Sequence, residues 1–137
     1  YRRRSSAPGT FDAAGTEGRC IPMSKTTADY LRDLLQELDD ITAFTSEGES
    51  AFVQDVKTQK AVIRSYEVIG EIGKRLPDEF RKANPQVDWR RLITFRDFLA
   101  HNYELIGLRY VWDAVKDAPN LRATIENMLA SLPDEEE

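Results

Sequence analysis

The sequence predicts an all-α bundle of four or five helices. Apolar residues recur at three- and four-residue spacing, proline and glycine interrupt that pattern at helix-length intervals, and no segment alternates as a strand does. The 137 residues suffice for one domain with a hydrophobic core. No apolar run approaches the roughly 20 residues that span a bilayer, so we expect no membrane partner.

The first 22 residues differ from the rest in composition. They are rich in Arg, Ser, Gly and Ala, lack apolar periodicity, and precede Met23. We interpret residues 1–22 as a leader or an expression-derived segment, because Asp12 and Glu17 count against a transit peptide. Residues 23–137 are then one domain with a frayed acidic tail. The single cysteine, Cys20, excludes an internal disulfide and favours a reducing, cytoplasmic location.

Two helices are predicted in the first half of the domain. The first extends from Thr27 to Phe44, and the second from about residue 50 to residue 76, with Gly48 as the turn residue before it and a proline at its end. Gly70 and Gly73 share one side of the second helix. Each glycine costs about 1 kcal/mol relative to alanine, so we expect another helix to approach closely there.

The second half predicts shorter segments. Residues 76–85 form a helical turn between two prolines. Asp88 is the N-cap of a helix that extends to Tyr103, and Gly107 follows soon after. The last two predicted helices comprise residues 108–117 and 119–132. Pro119 is placed to start the second of them.

Charge is distributed unevenly along the chain. The net charge is −5, but residues 57–96 carry ten basic and five acidic side chains, and each flank of the domain carries a charge of −6. The average argues against a general nucleic-acid binder. The basic middle is either a local phosphate-binding surface or an ordinary solvated helix face.

Arg96 lies within an apolar stripe. On a helical wheel it falls with the apolar residues of its helix, which are Trp89, Leu92, Ile93, Leu99 and Ala100. An unpaired buried arginine is costly, so three interpretations remain: a buried ion pair, a side chain that extends to water, or a functional group at a cleft or subunit interface. Because the interrupted stripe suits a partly wet interface better than a monomer core, it favours a homodimer.

His101, the only histidine, lies on the polar side of the same helix, about 140° from Arg96. Asp97 precedes His101 by four residues, so its carboxylate either favours the imidazolium or forms an ordinary surface pair. The arginine's length, a break near Asn102 or a second subunit would be needed to bring Arg96 and His101 together. One histidine and one remote cysteine do not make a metal site.

These residues carry a resemblance to the HepT-like branch of the HEPN-domain proteins, the toxins of MNT-HEPN toxin-antitoxin modules. The segment RDFLAHNY resembles the branch's motif of Arg, four residues, His, any residue and Tyr, which gives Arg96, His101 and Tyr103. Three segments are similar to the family's sequence pattern and occur in the same order: YEVIGEIGKRLPDEF, NPQVDWRRLITFRDFLAHNY and VWDAVKDAPNLRATIENML. The likeness covers Met23 to about Leu132.

The resemblance implies a HEPN-type, dimeric helical bundle and a metal-independent endoribonuclease without a cofactor. Arg96 and His101 would be catalytic, at a cleft that the two motifs of a homodimer face, and Asp97 and Asn102 would support them. The cognate partner would be an MNT nucleotidyltransferase antitoxin that transfers AMP onto Tyr103. Asp97 departs from the asparagine that is commoner in the branch.

Two other functions are compatible with the sequence. One is a non-catalytic helical dimer that binds a nucleotidyltransferase partner, with the motif serving structure. The other is a nucleotide-binding module without turnover that uses the same basic surface. The aspartate at position 97 is the one sequence feature that favours a non-catalytic role.

Overall fold

A computed structural model describes residues 25–133, with the side chains of residues 100–106 excluded. The described part is mostly helical and contains no strand, which confirms the all-α prediction. It contains six helical segments: α1 (Thr27–Phe44), α2 (Glu49–Gln54), α3 (Val56–Arg75), α4 (Asp78–Ala83), α5 (Trp89–Ile106) and α6 (Leu108–Ala130). The predicted leader, residues 1–22, lies outside the described residues.

Helix α1 packs against α3 and α6, and α5 packs against α3. The core contains buried side chains of all four of these helices. The apolar face of α1 is fully buried, through Leu31, Leu34, Leu38 and Ile41. Thr26 caps α1, since its hydroxyl accepts from the Asp29 amide at 3.0 Å while the Asp29 carboxylate accepts from the Thr26 amide at 3.2 Å. Arg122 of α6 donates to Asp39 of α1 at 2.6 Å, which links these two helices at the surface.

The predicted second helix is divided at Asp55, so the expectation of one continuous helix was wrong. Asp55 adopts an extended backbone and caps α3 with its side chain, which accepts from the Lys57 amide at 3.1 Å. The buried amide of Gln59 donates to the carbonyls of Phe52 and Val53 at 3.0 and 2.9 Å. These bonds satisfy two backbone carbonyls in the last turn of α2, which would otherwise lack partners, and so stabilise the break between the helices.

At the end of the chain, by contrast, two predicted helices are joined into one. Pro119 was predicted to start a helix, but α6 is continuous from Leu108 to Ala130 and includes Pro119 in its interior. Proline in a helix interior removes one backbone hydrogen bond, and here the residue is exposed while the neighbouring Ala118 and Ile125 are buried in the core. Burial of the apolar face on both sides of Pro119 therefore maintains the helix.

The turn between α3 and α5 is anchored by side-chain bonds. Arg81 donates to the Gly73 carbonyl at 3.0 Å, near the end of α3. The Trp89 indole donates to the Asn84 carbonyl at 3.0 Å, and the centre of its ring lies 6.4 Å from that of the Phe80 ring. Asp88 accepts from the Arg91 amide at 3.0 Å, as predicted for the N-cap of α5. These contacts fix the start of the helix that carries Arg96.

The apolar stripe of α5 packs on α3 of the same chain. Trp89 and Leu99 are buried, and a Cβ added to Gly73 would lie 3.3 Å from Ile93 Cγ1. The interpretation of this stripe as a subunit interface, which favoured a homodimer, is therefore wrong, because α3 of the same chain covers it. A homodimer remains an expectation from the family resemblance alone.

Candidate functional site

The five predicted site residues all lie on α5, between Arg96 and Tyr103. Arg96 and Asp97 are described with their side chains. For His101, Asn102 and Tyr103 the structure describes a helical backbone, and their side-chain positions lie outside the described residues. The geometry of the site is therefore given by the side chains of Arg96 and Asp97 and by the helical backbone that continues to Tyr103.

Gly70 creates the space that Arg96 occupies. A Cβ added to Gly70 would collide with the Cβ of Arg96 and would lie 3.0 Å from the Leu92 carbonyl oxygen. The first contact is shorter than real Cβ atoms show and the second is tighter than most, so glycine allows α3 and α5 to approach this closely. The prediction of a close helix approach at Gly70 and Gly73 is confirmed, and the arginine lies at the closest point.

The guanidinium of Arg96 reaches the surface and engages two carboxylates. Its Nη1 donates to Asp97 Oδ1 at 2.7 Å, and its Nη2 lies 3.5 Å from Glu71 Oε1. The side chain is 32% exposed. Of the three interpretations of an arginine in the stripe, the structure therefore shows a stem packed at the helix contact and a charged end that extends to water and pairs there.

Glu71 belongs to the same charge cluster and was not predicted. It accepts from Arg75 Nε at 3.0 Å while it faces Arg96, so one carboxylate lies between two arginines. The sequence signal for Glu71 is its position directly after Gly70, the residue at the helix crossing. Because Gly70 lies where α3 contacts α5, the side chain that follows it lies close to the α5 residue at the same contact, which is Arg96.

The length of the Arg96 side chain brings its guanidinium to Asp97, at 2.7 Å. A break near Asn102 is excluded, because α5 is helical through Ile106. Asp97, which holds the guanidinium, lies four residues before His101, and residues at that spacing lie one above the other on a helix. The positive charge of Arg96 is thus directed towards the side of α5 on which His101 lies.

Two further arginines lie on the exposed side of α5. Arg90 and Arg91 are exposed and form no ion pair with any of the residues 25–133 whose side chains are described. On a helical wheel Arg90 lies about 20° from His101, and Arg91 lies about 80° from it. This face therefore carries two cationic side chains with no described ion pair, beside Asp97, which binds Arg96, and the two cations are suitable for phosphate.

A groove of about 1620 Å³ lies between α1 and α3, with Arg96 at its edge. Its lining contains four cationic side chains, Lys25, Arg64, Arg75 and Arg96, and five carboxylates, Asp33, Glu37, Asp40, Glu67 and Glu71. The opposite charges nearly cancel, so this groove offers less attraction to an RNA backbone than the arginine face of α5 does.

Comparisons with known proteins identify the family. The sequence profile described as ribonuclease HepT-like matches residues 34–128, which includes the whole of α3 and α5. The chain belongs to the HepT-like ribonuclease family. The match agrees with the resemblance found in the sequence, and it covers Arg96, Asp97 and the remaining residues of the motif.

Three relatives of this HepT-like chain illustrate the similarity. A provisionally named RNase of Methanocaldococcus jannaschii is 42% identical over 110 residues, which cover 79% of this chain and 91% of the relative. A provisionally named ribonuclease HepT of Thermococcus cleftensis is 38% identical and covers 77% of this chain and 98% of its own. A provisionally named RNase of Caldanaerobacter subterraneus is 34% identical, with coverages of 77% and 96%. No solved structure matches the chain.

Among the residues that the structure describes, no three His, Cys, Asp or Glu side chains come together as a metal site would require. No helix in the described part of the chain is long and apolar enough to cross a membrane.

Proposed function

We propose that this chain is an endoribonuclease that works without a metal ion, with Arg96 and His101 as its catalytic residues. The observation that carries the proposal is that Asp97 holds the Arg96 guanidinium on the side of α5 towards His101, in a chain of the HepT-like ribonuclease family. In the family-typical motif, these are the two groups that RNA cleavage needs.

The reaction follows from the chemistry of these groups. The imidazole of His101 takes the proton of a ribose 2′-hydroxyl, and the resulting oxygen attacks the adjacent phosphorus. The bond from phosphorus to the 5′-oxygen breaks, and that oxygen takes up a proton, which a protonated histidine supplies. Arg96 is always charged, and it stabilises the negative charge on the crowded phosphate.

The neighbouring polar residues have supporting roles in this proposal. Asp97 positions the guanidinium of Arg96 through the bond at 2.7 Å, and Glu71 restrains it from the other helix at 3.5 Å. Asn102 follows His101 directly and supports the site from the same turn of α5. Arg90 and Arg91 guide the RNA backbone, since both are exposed cations on this face.

We further propose that the protein is a cytoplasmic toxin that acts as a homodimer and that an MNT nucleotidyltransferase antitoxin silences it. In this scheme the hydroxyl of Tyr103 attacks the α-phosphate of ATP, and pyrophosphate leaves. Tyr103 lies about 20° from Arg96 on the helical wheel, two turns further along. AMP on Tyr103 would place a phosphate near Arg96, where it would occupy the arginine and repel the phosphate of an RNA substrate.

A second candidate is a non-catalytic helical dimer that binds a nucleotidyltransferase partner or a nucleotide. The observation that favours it is the engagement of Arg96 by two carboxylates, which gives the arginine a structural role. In the first proposal, an RNA phosphate competes with these carboxylates for the guanidinium.

Cleavage of single-stranded RNA in the presence of a chelator tests the first proposal. His101→Ala should reduce the rate at least about a hundredfold, as loss of a general acid or base does. Circular dichroism should show the same helix content as in the unchanged protein. Thr124→Ala on α6 is the matched control and should cleave at the original rate. Cleavage by His101→Ala at the original rate would refute the assignment.

Expression experiments test the toxin role. The unchanged protein should arrest growth when expressed alone, and His101→Ala should not. Co-expression with an MNT nucleotidyltransferase should restore growth and should add the mass of one AMP group to the chain. Tyr103→Phe should lose that addition. Restored growth without the added mass would indicate that the partner silences by binding.

A further inference from the structure

Tyr110 is an exposed aromatic residue held by other aromatic rings. It lies in the first turn of α6 and is 47% exposed, one of four large hydrophobic residues that are exposed in the described part of the chain. Its ring centre lies 5.7 Å from that of Phe95 and 5.5 Å from that of Phe98. Phe95 in turn contacts the buried ring of Tyr66 at 5.3 Å. Tyr110 is therefore fixed on its α5 side while the rest of it faces solvent.

These rings lie beside the motif. Phe98 precedes His101 by three residues, and the two positions are about 60° apart on the wheel, so they are neighbours on α5. Phe98 also contacts Tyr110 nearly edge to face, at 70°. The exposed ring of Tyr110 consequently lies within about one helical turn of the position of His101 along α5.

The surroundings of Tyr110 are positively charged. Arg91, Phe95 and Phe98 share one face of α5 at helical spacing, and Arg109 is adjacent to Tyr110 in the chain. Arg91 and Arg109 are both exposed, and neither forms an ion pair with a residue described by the structure. The carboxylate one turn beyond Tyr110, Asp113, lies 3.9 Å from Lys116. An anionic polymer with aromatic groups suits this surface.

We infer that Tyr110, supported by Phe95 and Phe98, is a stacking site for an unpaired nucleobase of the RNA next to the phosphate that is cleaved. The inference rests on the proposed function for the identity of the polymer. A base–aromatic stack tolerates any base, because every base has a flat face. Such stacking requires an unpaired base, so the site selects single-stranded RNA over a duplex.

Binding of a short single-stranded RNA tests this inference. Fluorescence anisotropy, with a labelled oligonucleotide in chelator and with all proteins carrying His101→Ala, measures binding without cleavage. Tyr110→Ala should raise the Kd about tenfold, and Tyr110→Phe should stay within about twofold, because phenylalanine also stacks. Phe44→Ala is the matched control: Phe44 is 42% exposed, on α1, and its loss should leave the Kd unchanged.

A fluorescent base analogue gives a second readout. 2-Aminopurine in the oligonucleotide should be quenched by the protein with Tyr110 or Tyr110→Phe and not by Tyr110→Ala. An unchanged Kd and unchanged quenching in Tyr110→Ala would overturn the inference, as would a failure of the parent protein to bind single-stranded RNA. Binding that depends on Tyr110 without cleavage by the wild-type chain would refute the proposed function and leave the stacking site in place.

Discussion

At the residue scale, the position of Arg96 follows from the residue opposite it. A guanidinium at a helix contact loses hydration unless it is paired or reaches water. Gly70 has no side chain, so the stem of Arg96 fits at the crossing and its charged end emerges to meet Glu71 and Asp97. One glycine thus combines close packing of two helices with a positive charge at the surface.

The sequence predicted some of these residues and not others, for a physical reason. Arg96 was predicted because it interrupts the apolar stripe of its helix, and Asp97 because it precedes His101 by four residues. Glu71 was missed because its contact with Arg96 joins two helices, and a periodic pattern describes only the face of its own helix. Gly70 was noticed for its cost in a helix, but the pattern could not show which residue lies opposite.

Tyr66 gives a prediction for stability at alkaline pH. Its hydroxyl is buried and has no hydrogen-bond partner among the described residues, and burial, with a smaller effect of Asp117, raises its pKa above the usual value of 10.0. The unfolded chain therefore loses this proton first as the pH rises. Stability that is complete below pH 10 should decline above it.

Tyr66→Phe should remove that decline. At neutral pH the variant should be as stable as the original or more stable by up to about 1 kcal/mol, since an unsatisfied hydroxyl has been removed. Its advantage should grow between pH 10 and pH 11, measured by urea denaturation at each pH. If the free energies of unfolding of the two proteins changed equally with pH over this range, Tyr66 would not contribute to alkaline instability.

At the element scale, helix existence was predictable and helix boundaries were less so. The extents of α1 and the start of α5 agree with the sequence, because Thr26 and Asp88 are local capping residues. The break at Asp55 and the continuity through Pro119 do not follow from local pattern. The first depends on a bond from Gln59 to α2, and the second on burial of both halves of α6.

The crossing of α3 and α5 provides a paired prediction. Gly70→Ala should lower the free energy of unfolding by about 1–2 kcal/mol, because overpacking against the Arg96 Cβ and the Leu92 backbone outweighs alanine's better helix propensity. Gly73→Ala is the matched control. Its nearest neighbour is a side-chain carbon at 3.3 Å, so the variant should be neutral or slightly more stable.

Urea denaturation of the two glycine variants measures both effects. The midpoint should fall for Gly70→Ala and stay or rise for Gly73→Ala, with similar slopes. If both variants were equally stable, the helices would be separated enough at Gly70 to accept a methyl group. The close contact that directs Arg96 towards Asp97 would then be absent.

At the scale of the whole molecule, the cationic face and the groove have different charge. The face of α5 carries Arg90 and Arg91 without described partners, whereas the groove between α1 and α3 has opposite charges that nearly cancel. A protein with a net charge of −5 repels RNA at long range, so binding must depend on a small basic area. Two copies of that area would bind one RNA more strongly than one copy does.

We predict from the family resemblance that the chain is a homodimer at micromolar concentration. If two motifs share one cleft, the cleavage rate per chain should fall on dilution as dimers dissociate. Light scattering and cleavage assays over the same concentration series measure mass and rate together. His101→Ala is the control that separates assembly from chemistry, since it should dimerise like the original protein without cleaving. A monomer with a constant rate per chain throughout the series would show that a single α5 face is sufficient.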